Sequence, residues 1–206
     1  EPESKVLGCC PQFTDYACDI KAMGGTFEYV LLKPENNYKF NVQDVLNAIK
    51  PDYKLIYLDN PNNPTGQVIS LEDIRLILEE AAKSNICVII DEAYADFISK
   101  EESAISLVNE YDNLIVTRSF SKGLGLAGMR IGYLIASEEL CSYYTKANSP
   151  FSISNISAFT ARTALNDYDF IKESSMKIAE SKKAFMDSLT KLKVMETDQR
   201  VPIMLI

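Results

Sequence analysis

Short, mostly apolar runs alternate with stretches of helical periodicity from about residue 5 to residue 136. Six of the runs read as strands: Lys5–Cys9, Thr26–Leu31, Lys54–Leu58, Ile86–Ile90, Asn113–Thr117 and Arg130–Ala136. They are rich in β-branched and aromatic residues and apolar nearly throughout, as strands covered on both faces should be. Between them the helix ends are readable. Asn41 followed by Asp44 opens a helix that Pro51 closes, and Ser70-Leu71-Glu72-Asp73 reads as a capping box ahead of Ile74, Ile77, Leu78 and Ala81, which share one helical face. Strands alternating with helices predict an α/β fold with a parallel sheet.

After Ala147 the pattern changes. Asn148-Ser149-Pro150-Phe151-Ser152 is a break, and two helical stretches follow, around Ile156–Leu165 and Phe170–Leu192. The last residues, Val201–Ile206, read as a strand that opens a new sheet. Residues 1–147 are therefore expected to form a large domain. Residues 148–206 are expected to form a hinge, helices and the beginning of a smaller α+β domain. The charged stretch Glu1–Lys5 runs directly into a core strand, so a fragment truncated at both ends is expected.

Composition narrows the chemistry. The 206 residues are 47% hydrophobic and 24% charged, with no apolar run long enough to cross a bilayer, so no membrane partner is expected. A net charge of -8 opposes binding to phosphate backbones, so no nucleic-acid partner is expected. Cys9, Cys10, Cys18, Cys87 and Cys141 form no C-x-x-C pair and suit the reduced thiols of a cytoplasmic protein. There is no histidine, which removes every mechanism that needs an imidazole base or ligand, including H-E-x-x-H zinc sites; no metal is expected. What remains is lysine, carboxylate, tyrosine or cofactor chemistry.

The run Arg118-Ser119-Phe120-Ser121-Lys122-Gly123-Leu124-Gly125-Leu126-Ala127-Gly128-Met129-Arg130 follows a strand. Gly123, Gly125 and Gly128 satisfy G-x-G-x-x-G, but the strand pattern Ile131–Ala136 comes too soon for the crossover helix of a dinucleotide site. Ser-x-Ser-Lys, with an arginine eight residues beyond the lysine, resembles the lysine segment of fold-type I pyridoxal-phosphate enzymes. An aldehyde cofactor needs a primary amine, and a lysine supplies one only when its pKa is held below the roughly 10.4 of the free side chain. The resemblance makes Lys122 that amine, in a Schiff base. It makes Ser119, Ser121 and Arg130 the partners of the phosphate dianion, for which hydroxyls and a guanidinium are suited. Read alone, Lys122 would be a solvated lysine in a glycine-rich loop.

Two further phrases occur in the family's order. Pro61-Asn62-Asn63-Pro64-Thr65-Gly66 follows a strand, and by itself it is only a good turn. In aminotransferases its second asparagine donates to the cofactor's 3'-oxygen, which falls on Asn63. Cys87-Val88-Ile89-Ile90-Asp91-Glu92-Ala93-Tyr94 is an apolar strand ending in an acid, and ligands of open α/β sheets bind beyond the carboxyl ends of strands. A carboxylate there could keep a pyridine nitrogen protonated, so that the ring accepts electrons. That role falls on Asp91, and Tyr94 resembles the second donor to the 3'-oxygen. Asp91 could instead cap the next helix, and Tyr94 could be core. Phe13, in Pro11-Gln12-Phe13-Thr14-Asp15-Tyr16, matches the aromatic residue that stacks on the cofactor, against the alternative of core packing.

The resemblance covers nearly the whole chain and is nearest to the histidinol-phosphate aminotransferases. It implies a three-layer αβα large domain with a mainly parallel sheet, pyridoxal 5'-phosphate as cofactor, and transfer of an amino group between an amino acid and a 2-oxo acid. It also implies a homodimer. Lys122 would shuttle the proton between the substrate's Cα and the cofactor. Threonine-phosphate decarboxylases share most of the phrases, and a non-catalytic cofactor-binding module of a regulator is the alternative from another class.

Overall fold

A computed structural model describes residues 2–206, except for the side chain of Tyr168. Within these residues the chain runs β1 (Lys5–Cys10), α1 (Asp15–Ala22), β2 (Thr26–Leu31), α2 (Val42–Ala48), β3 (Tyr53–Asp59), α3 (Leu71–Ala82), β4 (Cys87–Asp91), β5 (Leu114–Ser119), β6 (Gly132–Ala136), α4 (Glu138–Ala147), α5 (Asn155–Ala164) and α6 (Tyr168–Ser188). The strands form one sheet in the order β2-β1-β3-β4-β5-β6. All neighbouring pairs are parallel except β5 with β6. The expected α/β architecture with a mainly parallel sheet is the one observed.

The core explains why the apolar runs could be read. Ile56, Val88, Ile90, Leu114 and Val116 of the central strands are wholly or almost wholly buried, and Ile74, Ile77, Leu78 and Ala81 form the buried face of α3. Each of the Ile, Leu and Val side chains contributes roughly 1.5–3 kcal/mol through its burial. Asn41 caps α2 by accepting from the Gln43 N–H, and Ser70 caps α3 by accepting from the Asp73 N–H at 3.1 Å.

Four local expectations differ from the structure. Arg130 adopts a left-handed conformation, φ 49° and ψ 48°, so β6 starts at Gly132. The helix expected over Phe170–Leu192 ends at Ser188, because Leu189 turns extended. Helices α1 and α4 are additional to the expected elements, and neither contains a buried residue. Val201–Ile206 is not a strand.

The last point has a clear cause in Lys182, on α6. Its side chain is buried, and its Nζ donates to Thr197 Oγ1 and to the backbone oxygens of Asp198, Val201 and Ile203 at 2.7–2.8 Å. These carbonyls curl around an ammonium and do not present a ladder. Burial pushes the Lys182 pKa down to about 8, against the attraction of Asp198. The segment also holds the connections after β3 and β4: Asp198 N–H donates to Gly66 O at 3.0 Å, and Arg200 makes a forked ion pair with Glu102. Gly66 has φ +72°, and a Cβ there would overlap Ile203 O and Thr197 Oγ1. Only glycine suits both conditions.

Candidate active site

In the strand order, β1 is flanked by β2 and β3, so successive connections leave it in opposite directions. Such a switch point opens a crevice at the carboxyl ends of the strands. The loop after β1 brings Phe13 and the start of α1 brings Tyr16. The turn after β3 brings Asn63, β3 and β4 end in Asp59 and Asp91, and the segment after β4 brings Tyr94. The loop after β5 brings Lys122. All of these line one pocket.

Lys122 Nζ lies over the Tyr94 ring, 5.1 Å from its centre. Asp91 is buried and accepts three hydrogen bonds, from the Ala93 N–H at 2.9 Å, the Tyr57 hydroxyl at 2.5 Å and the Tyr16 hydroxyl. The Tyr16 and Tyr57 rings stack with centroids 3.9 Å apart. Burial and the nearby Asp91 charge raise the pKa of both phenols, so they remain protonated donors.

Behind the pocket, Glu92 is fully buried at its side chain. It takes Arg118 Nε at 2.8 Å, Ser103 Oγ at 2.7 Å and the Ala104 N–H at 2.6 Å. Burial raises the Glu92 pKa and the Arg118 charge opposes that rise. Arg118 also reaches Asp96 at 3.2 Å, and a Cβ on Gly123 would overlap the Asp96 side chain. The end of β4 and the Lys122 loop are thus tied together through a buried ion pair.

Of the residues singled out from the sequence, Phe13, Asn63, Asp91, Tyr94 and Lys122 meet in the pocket. Phe13 is 42% exposed, so it is not a core residue. Ser119, Ser121 and Arg130 do not line that pocket. The Ser119 hydroxyl accepts from the Ser121 N–H at 3.0 Å, and Arg130 Nη1 donates to Ala127 O at 2.9 Å. Sequence reading missed Tyr16, Tyr57 and Asp59. A signal existed for two of them: Tyr57 and Asp59 alternate along one face of β3, and Asp59 is an acid at the end of an apolar strand, the same cue that selected Asp91.

The chain can be compared with known proteins. A family model for aminotransferases of class I and II matches residues 1–205. A histidinol-phosphate aminotransferase of Methanococcus maripaludis is 36% identical over 196 residues, covering 95% of this chain and 52% of that protein. One from Methanococcoides burtonii is 39% identical over 185 residues, covering 90% of this chain and 49% of that protein. The crystal structure of histidinol-phosphate aminotransferase from Sinorhizobium meliloti in complex with pyridoxal-5'-phosphate superposes with a TM-score of 0.86 at 25% identity, covering 98% of this chain and 54% of that one. The chain spans about half the length of the curated relatives it matches. With the matched family model extending over all but its final residue, the chain belongs to the class I and II aminotransferase family.

Proposed function

We propose that this chain is the cofactor-binding part of an aminotransferase that uses pyridoxal 5'-phosphate to move an amino group between an amino acid and a 2-oxo acid. The observation that carries it is the meeting of Lys122, Asp91, Asn63 and Tyr94 in one pocket at the switch point of the sheet. The donor set fits the cofactor: a primary amine for its aldehyde, a buried carboxylate for its ring nitrogen, and an amide and a phenol for its 3'-oxygen. Phe13 supplies an aromatic face for the ring. Ser119, Ser121 and Arg130 are assigned to the phosphate. When bound, the cofactor supplies a protonated ring that draws electrons from the substrate's α-carbon.

The protein's own part is binding, orientation and proton handling. Lys122 Nζ is the amine that would hold the cofactor's aldehyde, and it would serve as general base toward the substrate's α-carbon proton. Asp91 would face the ring nitrogen and hold its proton. The hydroxyls of Tyr16 and Tyr57 and the Ala93 N–H hold Asp91 in place. Borohydride reduction of the whole protein with the cofactor, followed by peptide mapping, tests the assignment. Label on Lys122 is expected; label on another lysine, or none, overturns it.

Histidinol phosphate is the proposed amino donor, supported by the relatives' names, and an amino-donor screen on the whole protein tests it. We further propose that the protein is a cytoplasmic homodimer acting on small molecules and not on nucleic acid. Five free cysteines support a reducing compartment and the net charge of -8 argues against a nucleic-acid partner, while the homodimer follows from the family resemblance alone. Residues 1–147 are assigned to the large domain and 148–206 to the start of the smaller one.

A further inference from the structure

Asp59 and Asp91 are partners in the parallel register of β3 and β4, two buried carboxylates side by side at the ends of their strands. Their partners differ. Asp91 takes two phenols, whereas Asp59 takes donors only from the turn that follows it: Asn62 Nδ2 on Oδ1 at 2.8 Å and the Asn63 N–H on Oδ2 at 2.9 Å. Among the described residues no lysine or arginine pairs with Asp59. A carboxylate buried without a cation is costly.

We propose that Asp59 is a positioning residue that aims Asn63 into the pocket by holding both asparagines of the turn. The proposal rests on the reading of that pocket as the cofactor site. The turn shows why a carboxylate is needed. The Asn62 side-chain Oδ1 already accepts from the Thr65 N–H at 3.1 Å and the Thr65 hydroxyl at 2.5 Å, which fixes the side-chain Nδ2 toward Asp59. Gly66 N–H donates to Asn62 O at 2.7 Å and closes the turn. Both Asp59 oxygens must therefore accept. An amide at position 59 would set an NH2 group against either the Asn62 NH2 or the Asn63 N–H. Burial pushes the Asp59 carboxyl up to about 6, opposed by these same two donors, so at neutral pH it remains an acceptor on both sides.

The test uses the whole protein as parent, Asp59→Asn, Asn63→Ala and the double variant. Equilibrium dialysis of pyridoxal phosphate, the pH midpoint of the bound cofactor's visible band, and amide exchange of Asn63 in the cofactor-free protein are measured. Asp59→Asn is expected to weaken cofactor binding about tenfold, the scale of one misdirected hydrogen bond. It is also expected to speed Asn63 exchange and to raise the visible midpoint, because the 3'-oxygen loses a donor; a purely structural loss would leave that midpoint in place. Asn63→Ala is expected to add little in the Asp59→Asn background, since both changes remove one contact. Additive effects, or parent-like binding by Asp59→Asn, would overturn the proposal. If Asp59→Asn does not fold, Asp59→Ser, which is smaller and can accept one bond, carries the same comparison. Failure of the parent to label at Lys122 would instead sink the cofactor reading, while the exchange measurement still reports on Asp59 and Asn63.

Discussion

The ammonium of Lys122 stands 5.1 Å from the centre of the Tyr94 ring. Tyr94 thus offers a π-face to the amine as well as a hydroxyl to the pocket. Tyr94→Phe keeps the ring and should weaken cofactor binding about fivefold, the worth of one hydrogen bond. Tyr94→Ala also removes the ring that walls the pocket and should cost more than about tenfold, since covering an apolar side-chain face contributes roughly 1.5–3 kcal/mol. Dissociation constants from cofactor titration check this. Equal losses in the two variants would mean the ring contributes nothing.

Asp91→Asn should still bind cofactor within about tenfold, yet its transamination half-reaction should fall by roughly two to three orders of magnitude, as for the loss of a preorganised charge. An amide cannot hold the ring proton by charge. Single-turnover absorbance measurements decide it, and a rate near the parent's would remove Asp91 from this role.

Much of the site could be read from the sequence because it is built on strand ends. Asp91 closes an apolar run, and Lys122 sits in a glycine-rich loop after another, so both are marked by local pattern. Asp59 carried the same strand-end cue, but the contacts of Tyr16 and Tyr57 with Asp91 became visible only in three dimensions, because they join residues 75 and 34 apart. Periodicity cannot report such pairings. The apolar letters of Val201–Ile206 misled for a related reason: their carbonyls serve the buried ammonium of Lys182, and hydrophobicity alone does not say where a carbonyl points.

Lys182→Met should lower the unfolding free energy by about 2–4 kcal/mol, because it leaves buried acceptors unsatisfied at roughly 1–3 kcal/mol each. Urea unfolding measures it. A loss below about 0.5 kcal/mol, the level of an ordinary surface change, would show that water replaces the ammonium easily.

Acid should affect the parent and Asp59→Asn differently. The Asp59 carboxyl is raised from 3.8 to about 6 in the folded protein, so the folded state binds its proton more tightly than the unfolded state does. Its contribution to stability therefore grows as pH falls from about 6 to about 4, reaching at most about 3 kcal/mol at 1.36 kcal/mol per pKa unit. Glu28, Asp52 and Glu110, whose pKa values are lowered by hydrogen bonds, act in the opposite direction but equally in both proteins. The parent should gain on Asp59→Asn between pH 7 and pH 4.5 in denaturant titrations. A constant difference would contradict the buried, raised carboxyl.

The order β2-β1-β3-β4-β5-β6 also has a kinetic consequence. The pocket draws on β1, β3, β4 and the loop after β5, which pair in parallel and must be brought together across long stretches of chain. Sheets of that kind assemble late, after the loop-closure cost of non-local pairing has been met. A ligand that binds only once these strand ends have met is expected to slow unfolding and to leave the rate of refolding unchanged.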